Sequence, residues 1–153
     1  MAENTEILQE CFELARQAKK RGDGPFGSVI LDGEGKTIAR AGNTTGSDGS
    51  VVHHAEINAI KQAEVVRGKG SLSGCVLYTS AEPCPMCAAA IAWSGIDMVY
   101  YSVSIEGLTK VGMDQIDLSC SEVFSRSGRD IELRGPLMEE EGLRVFDDTD
   151  GWA

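Results

Sequence analysis

The chain has 153 residues, 42% of them hydrophobic, which is enough to bury a core without disulfides or metal support. A net charge of −10 argues against contact with phosphate backbones or anionic membranes, which basic patches grip, and favours a small-molecule partner. No apolar run approaches the roughly 18 residues of a membrane span, and Met1-Ala2-Glu3-Asn4 opens without a basic or apolar leader signal, so one cytoplasmic domain over 1–153 is expected.

In chain order, Ile7, Leu8, Cys11, Phe12, Leu14, Ala15 and Ala18 recur at helical spacing and predict a packing helix over 4–20. Asn4 or Thr5 caps its start, and Gly22 and Gly24 end it. Gly24-Pro25-Phe26-Gly27 leads into a strand at 28–31, a turn at 32–35 and a return strand at 36–41. Phe26, where loop becomes strand, reads either as a core aromatic or as a wall beside a substrate ring. Residues 42–52 form a polar loop, and Asn43 within it is either a turn residue or a donor–acceptor pair for a heterocycle edge. A helix follows over 54–66, broken by Gly68-Lys69-Gly70-Ser71. Cys75 to Ser80 is an apolar, β-favouring run that reads as a central strand.

That strand delivers the chain to Glu82-Pro83-Cys84-Pro85-Met86-Cys87, with Pro85 at the first helical position and an Ala-rich helix to Trp93 that reads as buried almost all round. The strand at 98–103 then implies a parallel pair across a right-handed crossover. Beyond it the pattern weakens: a helical turn at 106–111, a loop at 112–115, short helices at 119–126 and 136–144 with a strand at 131–134 between them, and an acidic tail over 145–153 containing Trp152.

The chemistry concentrates in four residues. Cys84 and Cys87, three apart at a helix start, can point both sulfurs at one ion, and the N-terminal helix dipole favours thiolate there. His54 supplies a third ligand, and one imidazole with two thiolates suits zinc with a fourth position left for water. Glu56 places a carboxylate beside that water. On an ideal helix His54 and Glu56 stand about 200° apart, so they converge only if they sit at its first turn. His53 does not fit the pattern and reads as a surface or supporting residue. Two bland readings stand beside this one: a redox dithiol, which explains neither His54 nor Glu56, and a structural zinc site, for which Cys75 is the nearest fourth ligand.

With H-x-E followed by P-C-x-x-C, the chain resembles the cytidine deaminase-like superfamily, in the branch of guanine, cytosine and tRNA adenosine deaminases. The resemblance runs from about Leu8 to Val103 through Gly24-Pro25-Phe26-Gly27, Asn43, His54-Ala55-Glu56, the 79–87 segment and Ala90-Ile91-Ala92-Trp93. It implies an α/β fold in three layers (α/β/α), with a mixed central sheet of about five strands. It also implies one zinc held by His54, Cys84 and Cys87 between two helix N-termini, and a homodimer. Zinc lowers the pKa of bound water from 15.7 to about 7. Glu56 would carry the water's proton to a ring nitrogen and then to the departing amine. By the same resemblance Asn43 and the Ala55 amide hold the base, and a carbonyl near Ser80 or Ala81 receives the amine.

Guanine deaminases of this branch are resembled through Thr79-Ser80, Pro85-Met86 and Trp93, and through Asp114 in Gly112-Met113-Asp114-Gln115, where Gln115 replaces a second carboxylate. Conversion of guanine to xanthine and ammonia is therefore the leading expectation. Cytosine or another small aminated heterocycle is the first alternative, closed over by a tail bearing Trp152. A tRNA adenosine deaminase is the second, opposed by the charge and by Ala89. A non-catalytic zinc-stabilised binding module is the alternative from a different class, and Glu56 tells against it because structural zinc has no use for an unligated carboxylate nearby.

Overall fold

The structure is a computed structural model that describes residues 4–147. Its sheet has five strands, β1 (Gly27–Leu31), β2 (Thr37–Gly42), β3 (Val76–Ala81), β4 (Met98–Val103) and β5 (Glu132–Arg134), in the order β2-β1-β3-β4-β5. β1 runs antiparallel to both β2 and β3, while β3–β4 and β4–β5 are parallel. The expected α/β class and mixed sheet are what the chain adopts. β1 and β3 are buried along their whole length, so neither alternates between buried and exposed positions.

Alternate residues of these strands feed two cores. On one face Leu8, Cys11, Phe12 and Ala15 of α1 (Thr5–Lys20) and Val145 of α7 (Glu139–Asp147) meet Val29, Val76, Tyr78 and Tyr100, the two tyrosine rings stacked 4.7 Å apart. On the other, Ala59, Ile60 and Ala63 of α3 (Ala55–Arg67), Ala88 and Ile91 of α4 (Pro85–Ser94), and Cys120 and Phe124 of α6 (Cys120–Ser125) meet Ile30, Leu77 and Val99. α1 lies so close to β1 that a Cβ on Gly27 would run into the Cys11 carbonyl. Gly142 lets α7 approach Ser102 of β4 in the same way. Asn4 caps α1, its side chain accepting from the Glu6 and Ile7 amides.

Four expectations shift. The loop at 42–52 contains a short helix, α2 (Thr45–Asp48), which its Gly- and Ser-rich composition concealed. The last helix begins three residues later than its apolar pattern suggested and continues to Asp147, because Val145 and Phe146 are core residues and not tail. α4 is not buried all round: Trp93 is 81% exposed, since the apolar side of α4 away from the sheet lines an open groove. Cys75 lies buried in the core, and among the described residues it joins no cluster of metal-ligating groups. The cysteines at 11, 75, 84, 87 and 120 are all free thiols. No described helix is long and apolar enough to cross a membrane. Trp152 and the tail beyond Asp147 lie outside the described residues.

Candidate active site

α3 and α4 point their N-termini at one spot, and each begins in the same way. His54 is the N-cap of α3 and Cys84 the N-cap of α4, both in extended backbone (φ −68°, ψ 159° and φ −68°, ψ 170°). A cap residue normally turns its side chain back onto the first amides of the helix. Neither does so here, which leaves imidazole and sulfur free for another partner. Because His54 is extended and not helical, the ideal 200° separation from Glu56 does not apply. The imidazole enters from outside the helix and the carboxylate from its first turn.

The Nδ1 atom of His54 lies 3.6 Å from Sγ of Cys84 and 3.6 Å from Sγ of Cys87. Tetrahedral bonds of about 2.3 Å to sulfur and 2.0–2.1 Å to nitrogen put such donors about 3.6 Å apart, so the three side chains fit one zinc ion. The thiol pair shares one proton: the hydrogen bond from Cys87 brings Cys84 down to about 4, and Cys87 is correspondingly pushed up. A cation against both sulfurs would displace that last proton. The bond to Cys84 likewise raises His54. Burial pushes the Glu56 carboxyl up to about 7, and the neighbouring Cys84 thiolate adds to the effect. A carboxyl poised near neutrality can both take and return a proton.

A pocket of about 80 Å³ opens onto these groups, walled by Phe26, Asn43, Ala81, Glu82, Leu108 and Gln115 together with His54, Glu56 and Cys84. Asn43 is buried, and its Oδ1 accepts from the Thr45 amide and hydroxyl, both at 2.9 Å. The group that Asn43 offers the pocket is therefore its amide NH₂. Arg21 donates to the Asn43 carbonyl at 3.1 Å, and Asp23, bonded to the Ser47 amide at 2.7 Å, holds the loop beyond it. Phe26 meets Phe146 of α7 edge-on, with ring centroids 5.9 Å apart, so one face of the pocket rests on the last helix.

The other sequence-derived candidates are placed differently. Ala55 is buried as the first residue of α3, beside the ligand His54. Asp114 is exposed and does not line the pocket, whereas its neighbour Gln115 does. Trp93 lines a separate groove of about 500 Å³ with Ala89, Leu118 and Val123. That groove is larger, but among the described residues the metal-ligating cluster lies at the small pocket, which is the candidate for the chemistry. His53 pairs through Nδ1 with Asp48 at 2.8 Å, away from the ion site. Glu82 and Leu108 were not expected in the wall. A carboxylate directly before Pro-Cys, at the end of a wholly buried strand, was the available signal for Glu82. Leu108 had none, because a leucine in a short helix is ordinarily core.

Residues 1–103 match the family described as the cytidine and deoxycytidylate deaminase zinc-binding region. A probable cytosine deaminase of Schizosaccharomyces pombe is 34% identical over 141 residues, which covers 89% of this chain and 85% of the relative. The guanine deaminase of Bacillus subtilis is 41% identical over 109 residues, covering 71% of this chain and 69% of the relative. A solved structure from work on A-to-I editing by tRNA:A34 deaminases superposes with a TM-score of 0.79 at 31% identity, over 93% of this chain and 99% of the other.

Proposed function

Because the chain belongs to the cytidine and deoxycytidylate deaminase zinc-binding family and is a zinc-dependent deaminase, we propose that it hydrolyses a free nucleobase or a related aminated heterocycle, replacing an exocyclic amine with oxygen and releasing ammonia. The observation that carries this reading is Glu56, buried beside the His54–Cys84–Cys87 zinc-binding triad at the floor of a small pocket. A binding module would gain nothing from burying that carboxylate.

When bound, zinc supplies a Lewis acid that makes water available as a nucleophile at neutral pH. Glu56 takes the proton from the attacking water and delivers it to the ring nitrogen next to the amine, which makes the ring carbon electrophilic. The second water proton follows the same carboxylate to the amine, which leaves as ammonia. Asn43 donates its amide to an acceptor on the base, and the Ala55 amide lies at the same helix start. Phe26 and Leu108 close the sides and exclude water, which strengthens the polar contacts within.

Gln115 suits a lactam base. A primary amide presents a donor and an acceptor side by side, which complements a lactam edge of ring N–H next to C=O. Guanine and cytosine both have that edge and adenine does not. Guanine, giving xanthine and ammonia, is the leading substrate. Cytosine is a second reading, favoured by the roughly 80 Å³ pocket and by a cytosine deaminase relative that aligns over 89% of the chain. Nucleic acid is disfavoured by the charge of −10. Residues 1–153 act as one cytoplasmic deaminase domain, in keeping with the free thiols. It pairs as a homodimer over the exposed apolar groove around Trp93.

Ammonia release by the zinc-replete protein tests the reading. Turnover is expected on guanine or cytosine, with adenine far slower. No ammonia from either lactam base overturns it. A monomer in sedimentation overturns the dimer.

A further inference from the structure

Glu82 is a buried carboxylate with both oxygens committed to sequence-distant backbone. Its Oε1 accepts from the Ile105 amide at 3.0 Å and its Oε2 from the Cys120 amide at 2.9 Å. Ile105 is the first residue of α5 (Ile105–Lys110) and Cys120 the first of α6. The first amides of a helix have no intrahelical acceptor. Ser104 and Ser119 cap these two helices, but their side chains accept from Gly107 and Glu122, deeper in the first turn. The amides of Ile105 and Cys120 are thus left to Glu82. Both residues are buried, so each amide would otherwise be orphaned away from water.

The segment between these two bonds is the one that carries Leu108 and Gln115 into the pocket wall. Its loop is mostly exposed, and the bonds along it run over short range, from the amides of Val111 and Met113 to Leu108, of Gly112 to Thr109, and of Leu118 to Ile116. Such a loop has little of its own to hold a side chain in place. Glu82 also stands two residues before the ligand Cys84, and its own amide is fixed to the Val103 carbonyl at 2.7 Å. One rigid point therefore sets both the sulfur that holds the ion and the ends of the loop that faces it.

We propose that Glu82 is a positioning residue for substrate recognition: it clasps both ends of the 105–120 segment and thereby sets Leu108 and Gln115 at a fixed distance from the metal. The inference rests on the pocket being the base-binding site. Glu82 moves no proton in the reaction. Glu82 itself lines the pocket, but both of its carboxylate oxygens are taken by backbone amides, so it acts through Leu108 and Gln115, and losing it weakens base binding and leaves the proton transfer at Glu56 in place.

The test uses the full-length, zinc-loaded protein and two variants. Glu82→Gln is close in shape and retains one acceptor, and Glu82→Ala removes both. In Glu82→Gln, amide exchange across 105–120 rises at least about tenfold while α4 keeps its protection, because a buried amide loses its acceptor. On the base that the wild type turns over, KM rises about tenfold in Glu82→Gln and further in Glu82→Ala, while kcat per bound zinc stays within about threefold. The guanine-to-cytosine ratio of kcat/KM moves toward one. Unchanged exchange and KM in a zinc-replete Glu82→Gln protein overturn the proposal. So does a fall in kcat at constant KM, which puts Glu82 in the chemistry, or loss of zinc, which makes it a support for the ligands. If Glu82→Ala does not fold, Glu82→Gln decides alone. If the wild type turns over no base, the free-base reading has failed separately, and the exchange measurement still decides whether the clasp exists.

Discussion

The metal end and the recognition wall face each other across one small pocket and are built in opposite ways. At the metal end every functional atom comes from two helix starts, 54–56 and 84–87, and its geometry follows from local backbone: an extended cap residue, a first turn and Pro85 at the first helical position. Apart from Ala81 and Glu82, the wall is assembled from residues 26, 43, 108 and 115, which have no common local structure. It is held by carboxylates that reach over to distant amides. Asp23 holds the Ser47 amide, Glu82 holds those of Ile105 and Cys120, and Glu139 holds that of Ser104. Side chain-to-backbone bonds with a charged acceptor are the stronger kind, and each replaces local order that the loops lack. The groups proposed for catalysis are thus placed by local structure, and those proposed for recognition by long-range ties.

The largest expected effect strikes the metal end. His54→Ala or Cys84→Ala should lose zinc and activity together and lower the melting temperature, since metal binding couples to folding. Metal analysis of the purified variants checks this, and full zinc retention by either would remove that residue from the site. Next, Glu56→Gln should keep its zinc and its thermal stability but lose at least about 100-fold in kcat, the typical contribution of a general acid–base group. Near-normal turnover in a metal-replete Glu56→Gln protein would end the proton-shuttle role.

Effects on the wall should be smaller and fall on selection rather than rate. Gln115→Ala should cost about tenfold in kcat/KM on a lactam base, the worth of about one hydrogen bond, at unchanged zinc content. Equal losses on adenine and on guanine or cytosine would show that Gln115 does not read the lactam edge. Asp114→Ala, exposed beside it, provides the control and should change kcat/KM little.

The smallest effect concerns acid stability. Burial alone would raise the Asp23 carboxyl, but bonds from the Ser47 hydroxyl and amide and from Arg21 outweigh it and hold the group below its usual value. A depressed carboxyl contributes stability that is fully present above the unfolded value of about 3.9 and is lost as pH falls through the folded one. Asp23→Asn should therefore be less stable than wild type by about 1–2 kcal/mol at pH 7, with the gap closing below about pH 4. Urea unfolding at pH 7, 5 and 3 measures it, and a gap as large at pH 3 as at pH 7 would show that the charge is not the cause.

The ligand set, the carboxylate beside it and, apart from the short α2, the order of strands and helices up to Val103 were legible in the sequence by itself. Cap residues, a first-turn proline and apolar periodicity act over a few positions, and the metal ligands occupy just such positions at 54, 84 and 87. Beyond Val103 the reading thinned, because α5, α6 and β5 have six, six and three residues and are too short for periodicity to rise above noise. Only the tertiary structure decided that Gln115 and not Asp114 enters the pocket, that Trp93 faces an outer groove, and that Phe146 backs Phe26. It alone joined Glu82 to amides 23 and 38 residues away. Local propensity carries no information about such pairs. They exist because a buried amide must find an acceptor, and the one within reach lies just past the end of β3, in another part of the chain.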